Sequence, residues 1–355
     1  MKSKTQQKKR FRDYGLRAGR LPTGPRNSIA DVDGVRVGHA TKIKGDDVRT
    51  GVTLIDPGIR DLFMRKIPAA LAVGNGYGKL AGATQMQELG TLETPIALTN
   101  TLAVGPVMRG IVDLVLAETP EIGPADSINA VVGETNDGFL NNLHKHSVGG
   151  GDVRRAYDTR SEQVAEGCVG AGTGTRLFAW KGGIGTSSRV LRIGTESYTV
   201  GVLVQTNYGG SLMINGVPVG ERLKKSDFTI GLNDGGSCMI VLATDAPMTS
   251  RQLERMARRT FLGLARTGSV LASSSGDYAI AFSVSREGIE GSGSPGSCLA
   301  DSLLTDFFLA AVEAVEESVY NALAAAETIK GRDGHILETF PMESVIERIR
   351  RNAEI

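Results

Sequence analysis

Gly231-Leu232-Asn233-Asp234-Gly235-Gly236-Ser237-Cys238-Met239-Ile240-Val241-Leu242-Ala243-Thr244-Asp245-Ala246-Pro247 is the stretch whose reading decides the fold. A polar, glycine-rich turn, Asn233 to Gly236, runs directly into an apolar run from Cys238 to Ala243. The length and β-branched content of that run predict a strand buried on both faces. Ser237 then opens a rigid element. The two glycines before it let the backbone take φ > 0 and let other groups approach the Gly236 carbonyl. A serine with an unshielded peptide bond on its N-terminal side is placed to attack that bond. On these residues alone, a hairpin turn with a serine at the strand start is the stronger reading.

At 355 residues the chain can bury a large core, as one layered domain or as two smaller ones. Forty Lys and Arg against 39 Asp and Glu leave a formal net charge of +1, which gives no reason to expect nucleic acid or another polyanion as partner. Lys2, Lys4, Lys8, Lys9, Arg10 and Arg12 precede the first acid, Asp13, and residues 1–26 read as a flexible basic tail. No apolar segment of signal-peptide type follows these charges, and no apolar run approaches ~18 residues, so neither a secretory signal nor a membrane span is expected. Cys168, Cys238 and Cys298 are odd in number and far apart, and read as reduced thiols of a cytoplasmic protein.

Outward from the central run, residues 27–39 alternate like a hairpin turning at Asp33-Gly34. Strands are expected at 51–55, 69–73, 128–132, 197–205 and 278–284, with a shorter one at 228–232. Helical periodicity marks 80–89, 105–118, 301–326 and 342–351, and Thr249 with Gln252 forms a capping box for a helix to about Thr267. The loop 149–167 is polar and reads as a surface excursion. Arg255, Arg258 and Arg259 face outward from the 249–267 helix, toward solvent or a subunit. Gly170-Ala-Gly-Thr-Gly-Thr175 has the look of a phosphate loop, but neither a strong strand before it nor a Walker spacing supports a nucleotide site. His39 reads as structural. His144 and His146 read as surface residues on a strand, and no metal is expected. The element order lacks βαβ alternation and suits two stacked sheets with helices outside.

Several of these segments, spread in order over 27–341, resemble the self-processing L-aminopeptidase/D-esterase family, which includes the β-peptidyl aminopeptidases. The residues that carry the resemblance are Gly236-Ser237 with 240–247, and Asp31 to His39. The resemblance implies an α/β fold, a four-layer αββα sandwich of two mixed sheets flanked by helices, of N-terminal-nucleophile type. It implies a single catalytic domain over 27–355, cut between Gly236 and Ser237 into two chains. The new terminus would give Ser237 its own base, an α-amine of pKa about 7.7–8.0. By position, Ser275 and Asp277 match the family's second serine and carboxylate, Asn207 its oxyanion asparagine, and Glu134 the anchor for the substrate amine. Two departures stand out: Asp277 replaces the glutamate of the β-peptide-cleaving branch, and Phe139 replaces a tyrosine whose hydroxyl assists in relatives. The implied activity is release of N-terminal residues from short peptides, amides or esters with a free amine, without cofactor, by a homo-oligomer, a tetramer of processed units. Three rivals are an ornithine acetyltransferase-like enzyme, whose nucleophile is threonine, a nucleotide-binding oxidoreductase using 170–174, and an uncleaved, non-catalytic homologue.

Overall fold

The computed structural model of the chain describes residues 9–223, 236–285 and 298–353, with side chains as far as 347. The turn 231–235 and the strand expected at 228–232 lie outside the described residues. One mixed sheet takes β1 (Arg36–Lys44), β2 (Val48–Asp56), β5 (Ile96–Asn100) and β6 (Val131–Thr135) in the order β1-β2-β5-β6. Its last pair is parallel and the others antiparallel. The other sheet runs β4 (Thr91–Leu92), β3 (Ile67–Gly76), β14 (Gly276–Ser283), β13 (Ser237–Thr244), β10 (Glu196–Asn207), β9 (Ile184–Ile193). Here β13 and β14 form the parallel pair. Small hairpins β7 (Arg176–Leu177) with β8 (Trp180–Lys181), and β11 (Met213–Ile214) with β12 (Val217–Pro218), sit outside both sheets.

The period of two along β13 shows how the layers form. Met239, Val241 and Ala243 join Leu71, Leu203, Ile280 and Phe282 in a core between the sheets, facing Val37, Ile55, Leu98 and Val131 of the smaller sheet. Cys238, Ile240 and Leu242 point the other way, onto α5 (Ser250–Arg266) and α6 (Leu304–Ala324), through Leu253, Met256, Phe307 and Val315. The smaller sheet buries its outer face, Leu54, Ala97 and Val132, under Val107 and Ile111 of α2 (Val104–Glu118) and Val153 and Ala156 of α3 (Gly150–Asp158). Helix, sheet, sheet, helix is the four-layer αββα order. The short helices α1 (Ala83–Leu89) and α4 (Val219–Arg222) and the terminal α7 (Met342–Ala353) complete the list among the described residues.

Four local expectations need correction. Residues 29–31 form a 3-10 turn rather than a strand: Ser28 Oγ accepts from Ala30 N–H, Asp31 accepts from Ser28 N–H, and Ile29 and Val32 both fall into the core. The first hairpin is instead β1 with β2. The polar stretch 149–167 contains α3, capped by Asp152, with Val153 and Ala156 enough to seat it. From residue 9 onward the basic leader is folded: Phe11 is fully buried, Arg10 pairs with Glu166, and Arg12 pairs with Glu317 of α6. Arg189, also fully buried, pairs with Glu313 and Glu317, so the leader closes a buried ionic layer over α6. His144 lies in a 3-10 turn with His146 as its cap, not on a strand. Arg255 pairs with Asp301, Arg258 with Glu254, and Arg259 lies over the Phe308 ring at 4.1 Å, so these arginines have partners within the chain. Gly170–Gly172 is a buried 3-10 turn packed on Thr53 and His39, which leaves it no room for a nucleotide. No helix among the described residues is long and apolar enough to cross a membrane.

Candidate active site

At one end of the sandwich the starts of β13 and β14 meet the ends of β3, β10 and β6. Ser237 is the first residue of β13, opposite Asn207 on its antiparallel neighbour and opposite Gly276 on its parallel one. Its hydroxyl is buried, and Oγ accepts from Asn207 Nδ2 at 3.2 Å and from Asn136 N–H at 3.3 Å. Asn207 Oδ1 in turn accepts from Arg176 N–H at 3.1 Å, which fixes the amide with its NH2 toward Ser237. Asn207 thus lies against the Ser237 hydroxyl, and the Asn136 amide beside it was not legible in the sequence because a backbone N–H has no residue type.

The peptide bond ahead of Ser237 is also held. Gly236 O accepts from Gly276 N–H at 3.2 Å, which polarises that carbonyl. A Cβ built on Gly236 would stand 3.0 Å from Tyr208 Cβ and 3.3 Å from Ser275 Oγ, so the second serine lies against the same peptide. Gly276 itself has to be glycine, since a Cβ there would meet Tyr77 O at 2.7 Å. Asn75 ties down the loop before β14, its Nδ2 donating to the carbonyls of Ala272, Ser273 and Ser275. Ser275 and Asp277 flank Gly276, and both are buried. Neither Ser275 Oγ nor Asp277 Oδ2 has a well-formed hydrogen bond. Burial pushes the Asp277 carboxyl up to about 6, against the opposing pull of the Ser275 hydroxyl and the Cys238 N–H. The β3–β14 register slips between Asp277 and Tyr278, an irregularity of the kind that re-aims side chains beside a site.

In front of Ser237 opens a cavity of about 830 Å³. Glu134 lines it from the end of β6, as a buried strand residue rather than a turn carboxylate. Its Oε1 accepts from Lys79 N–H at 3.0 Å and lies 3.7 Å from Lys79 Nζ, while burial raises its pKa. Beyond Glu134, Asp137 is buried under the loop that carries Asn136, pushed up to about 7 by burial. Phe139 is 36% exposed on the cavity wall, stacked on His335 at 4.6 Å. Lys79, Arg176 and Arg332 also line the cavity, and sequence reasoning gave them no role. They lie in three distant segments, and only the fold gathers them. The structure therefore gathers Gly236, Ser237, Asn207, Glu134 and Phe139 on the lining of one cavity, with Ser275 and Asp277 buried on the neighbouring strand beside the Gly236–Ser237 peptide.

This geometry has relatives. The model of peptidase family S58 matches residues 27–337. The chain is 40% identical over 349 residues to beta-peptidyl aminopeptidase BapA of Sphingosinicella xenopeptidilytica, covering 91% of this chain and 86% of that one. Its fold is similar to that of the PH0078 protein from Pyrococcus horikoshii OT3, with a TM-score of 0.91 and 42% identity, covering 97% of this chain and 99% of that one. It is also similar to the L-aminopeptidase D-ala-esterase/amidase from Ochrobactrum anthropi, described as a prototype for the serine aminopeptidases and a variant of the Ntn hydrolase fold. There the TM-score is 0.88 and the identity 35%, again covering 97% and 99% of the two chains. Nothing in these matches favours the acetyltransferase or the oxidoreductase. A buried serine at the head of a central strand, a carboxylate in its cavity and a family match over most of its length agree: the chain belongs to peptidase family S58 and is a hydrolase of the aminopeptidase type.

Proposed function

We propose that the chain cuts itself between Gly236 and Ser237 and that the new N-terminal serine then removes N-terminal residues from short peptides, amides or esters. The observation that carries this is the juxtaposition of the Gly236 carbonyl, the Ser237 hydroxyl and the Ser275 hydroxyl, with Gly236 and Ser237 on the cavity wall. In the first step Ser237 Oγ attacks the Gly236 carbonyl carbon, with Gly276 N–H on the developing oxyanion. The C–N bond breaks, the Ser237 nitrogen takes the proton, and water hydrolyses the resulting ester. In turnover the freed amine, or Ser275 oriented by Asp277, takes the Ser237 proton as Oγ attacks the substrate carbonyl. Asn207 Nδ2 and Asn136 N–H then face the oxyanion. Glu134 receives the substrate ammonium in exchange for its contact with Lys79. The leaving amine takes the proton back, and water releases the acyl group.

The relatives named for β-peptidyl and L-aminopeptidase activity support this substrate class. A homo-oligomer, a tetramer of processed units in a reducing cytoplasm, fits the exposed Val73, Leu262 and Val270 and the thiols of Cys168 and Cys238. Sedimentation as a monomer at micromolar concentration would remove the tetramer. Intact mass tests the core of the proposal. The wild type should appear as two chains, 1–236 and 237–355, and Ser237→Ala as one inactive chain. A single full-length chain in both would refute self-processing.

A further inference from the structure

The loop that leaves β3 is tied at two points that the proposed reaction also uses. Tyr77 N–H donates to Ser275 O at 3.1 Å, and Asn75 Nδ2 donates to the same carbonyl. Two residues on, Lys79 N–H donates to Glu134 Oε1 at 3.0 Å. Ser275 precedes Gly276, which lies opposite Ser237 in the parallel ladder. Residues 77–79 therefore run from beside the nucleophile to the carboxylate in the cavity, at most about 7 Å for two residues of chain. An N-terminal residue in the site fills the same interval, with its carbonyl carbon at Ser237 Oγ and its ammonium at Glu134.

Close packing fixes the loop in that place. A Cβ on Gly276 would stand 2.7 Å from Tyr77 O, and a Cβ on Gly78 would stand 3.2 Å from both Glu134 Oε1 and the Tyr278 ring. Gly78 N–H also donates to Gly76 O at 2.9 Å, which bends the chain at Tyr77. Tyr77 is thus the one side chain at the crest of a bend between two glycines. It lines the cavity with Ser237 and Glu134 and is 74% exposed, more than any other large apolar side chain among the described residues. An aromatic ring so open at the mouth of a site loses its contact with water when a ligand lies on it, and its hydroxyl can stay solvated meanwhile. Phe139 and Leu143 line the same cavity and extend its apolar surface.

We propose that Tyr77 is a specificity-determining residue, an aromatic wall for the side chain of the residue being released, so that N-terminal residues with large apolar side chains are preferred over alanine. This rests on the aminopeptidase reading of the same site. The side chain of that residue leaves its backbone between ammonium and carbonyl, and so between the two points where the loop is tied. That holds for α- and β-amino acids alike, since both carry the substituent on a carbon between those groups.

The test compares kcat/KM for the p-nitroanilides of Ala, Leu and Phe, and of their β-homologues, in the wild type, Tyr77→Ala, Tyr77→Phe and Ser237→Ala. Circular dichroism, chain processing and sedimentation are checked for each. The leaving group is constant, so it cancels in the Leu:Ala and Phe:Ala ratios. The wild type should show ratios of about tenfold or more in the series it cleaves, the range for added methylenes against an apolar wall. Tyr77→Ala should lower both ratios about tenfold, while Tyr77→Phe should keep them, because the ring and not the hydroxyl makes the wall. Wild-type ratios at or below one, or ratios that Tyr77→Ala does not move, overturn the assignment. Unmoved ratios with an altered sedimentation coefficient would assign the ring to a contact between copies of the chain instead. If Ser237→Ala cleaves as well as the wild type, or the wild type cleaves neither series, it is the aminopeptidase reading that falls.

Discussion

Asp277→Asn separates what this carboxylate costs the fold from what it gives the chemistry. Burial holds the folded-state pKa at about 6 against an ordinary 3.8. Between those values the folded chain keeps a proton that the unfolded chain releases. The associated stability is therefore fully present below about pH 3.8 and is lost as pH rises to about 6. At roughly 1.36 kcal/mol per unit, the loss is about 3 kcal/mol. Asparagine has no such slope. It does bring an NH2 to the place where Asp277 Oδ2 has no well-formed partner, a penalty of about 1–3 kcal/mol that does not vary with pH. The informative quantity is therefore the change of the difference with pH. Urea unfolding of Ser237→Ala and Ser237→Ala/Asp277→Asn, both as uncut chains, should show the double variant gaining about 3 kcal/mol on the single one between pH 4 and 7. Asp137, also shifted upward, is common to both and cancels. In activity the sign is opposite: in the proposed mechanism the ionised carboxylate orients Ser275, so kcat/KM of the wild type should fall as pH drops through about 6. Asp277→Asn should lose that limb and run about a hundredfold or more slower. A stability difference that stays flat with pH, or a limb near pH 6 that survives in the variant, would refute the reasoning.

Asn207→Ala should slow turnover about 10²–10³-fold, read from kcat on a short peptide, and wild-type kcat would remove its oxyanion role. Gly236→Ala places a Cβ 3.0 Å from Tyr208 Cβ, which cannot swing aside, and should slow appearance of the two chains about tenfold on a denaturing gel. Processing at the wild-type rate would show that the scissile peptide is not held by this contact. Glu134→Gln should raise KM for substrates with a free amine and shrink their advantage over N-acetylated ones. An unchanged ratio would move the amine anchor elsewhere.

The layers were legible because β13 states its own environment: an unbroken apolar run of strand length admits burial on both faces and little else. Its serine was legible only as a position. That Ser237 faces Asn207, Gly276 and Asn136 depends on strand register and on a second sheet, neither of which has a local signature. The misreading at Ile29 and Val32 shows the ambiguity: a spacing of three serves a 3-10 turn as well as a hairpin arm, and Ser28 and Asp31 decided it through their caps. The leader was misread for a different cause. Charge at residues 9–12 looks solvated until Glu166, Glu313 and Glu317, far along the chain, are found buried beneath it. Lys79, Arg176 and Arg332 were invisible as a group for the same reason.

The placement of Ser237 would also explain how a chain cut after Gly236, as proposed, could stay one body. β13 is an interior strand, paired with β10 along Val200 to Asn207 and with β14 along Gly276 to Ser283. Its pairing on both sides begins at Ser237, with the Gly276 N–H to Gly236 O bond just ahead of it, so the proposed cut at Gly236 would leave the ladder from Ser237 onward intact. The cut would fall at the edge of the sheet's order rather than within it. The freed amine would then stay pinned between Asn207 and Gly276 instead of fraying into solvent, which a terminal base needs if it is to stay within reach of its own hydroxyl. The same constraint accounts for the parallel pairing of β13 with β14, the less common arrangement between neighbouring strands. Only a parallel neighbour starts where β13 starts, and so only a parallel neighbour can bring Ser275, Gly276 and Asp277 to the serine rather than to the far end of the sheet.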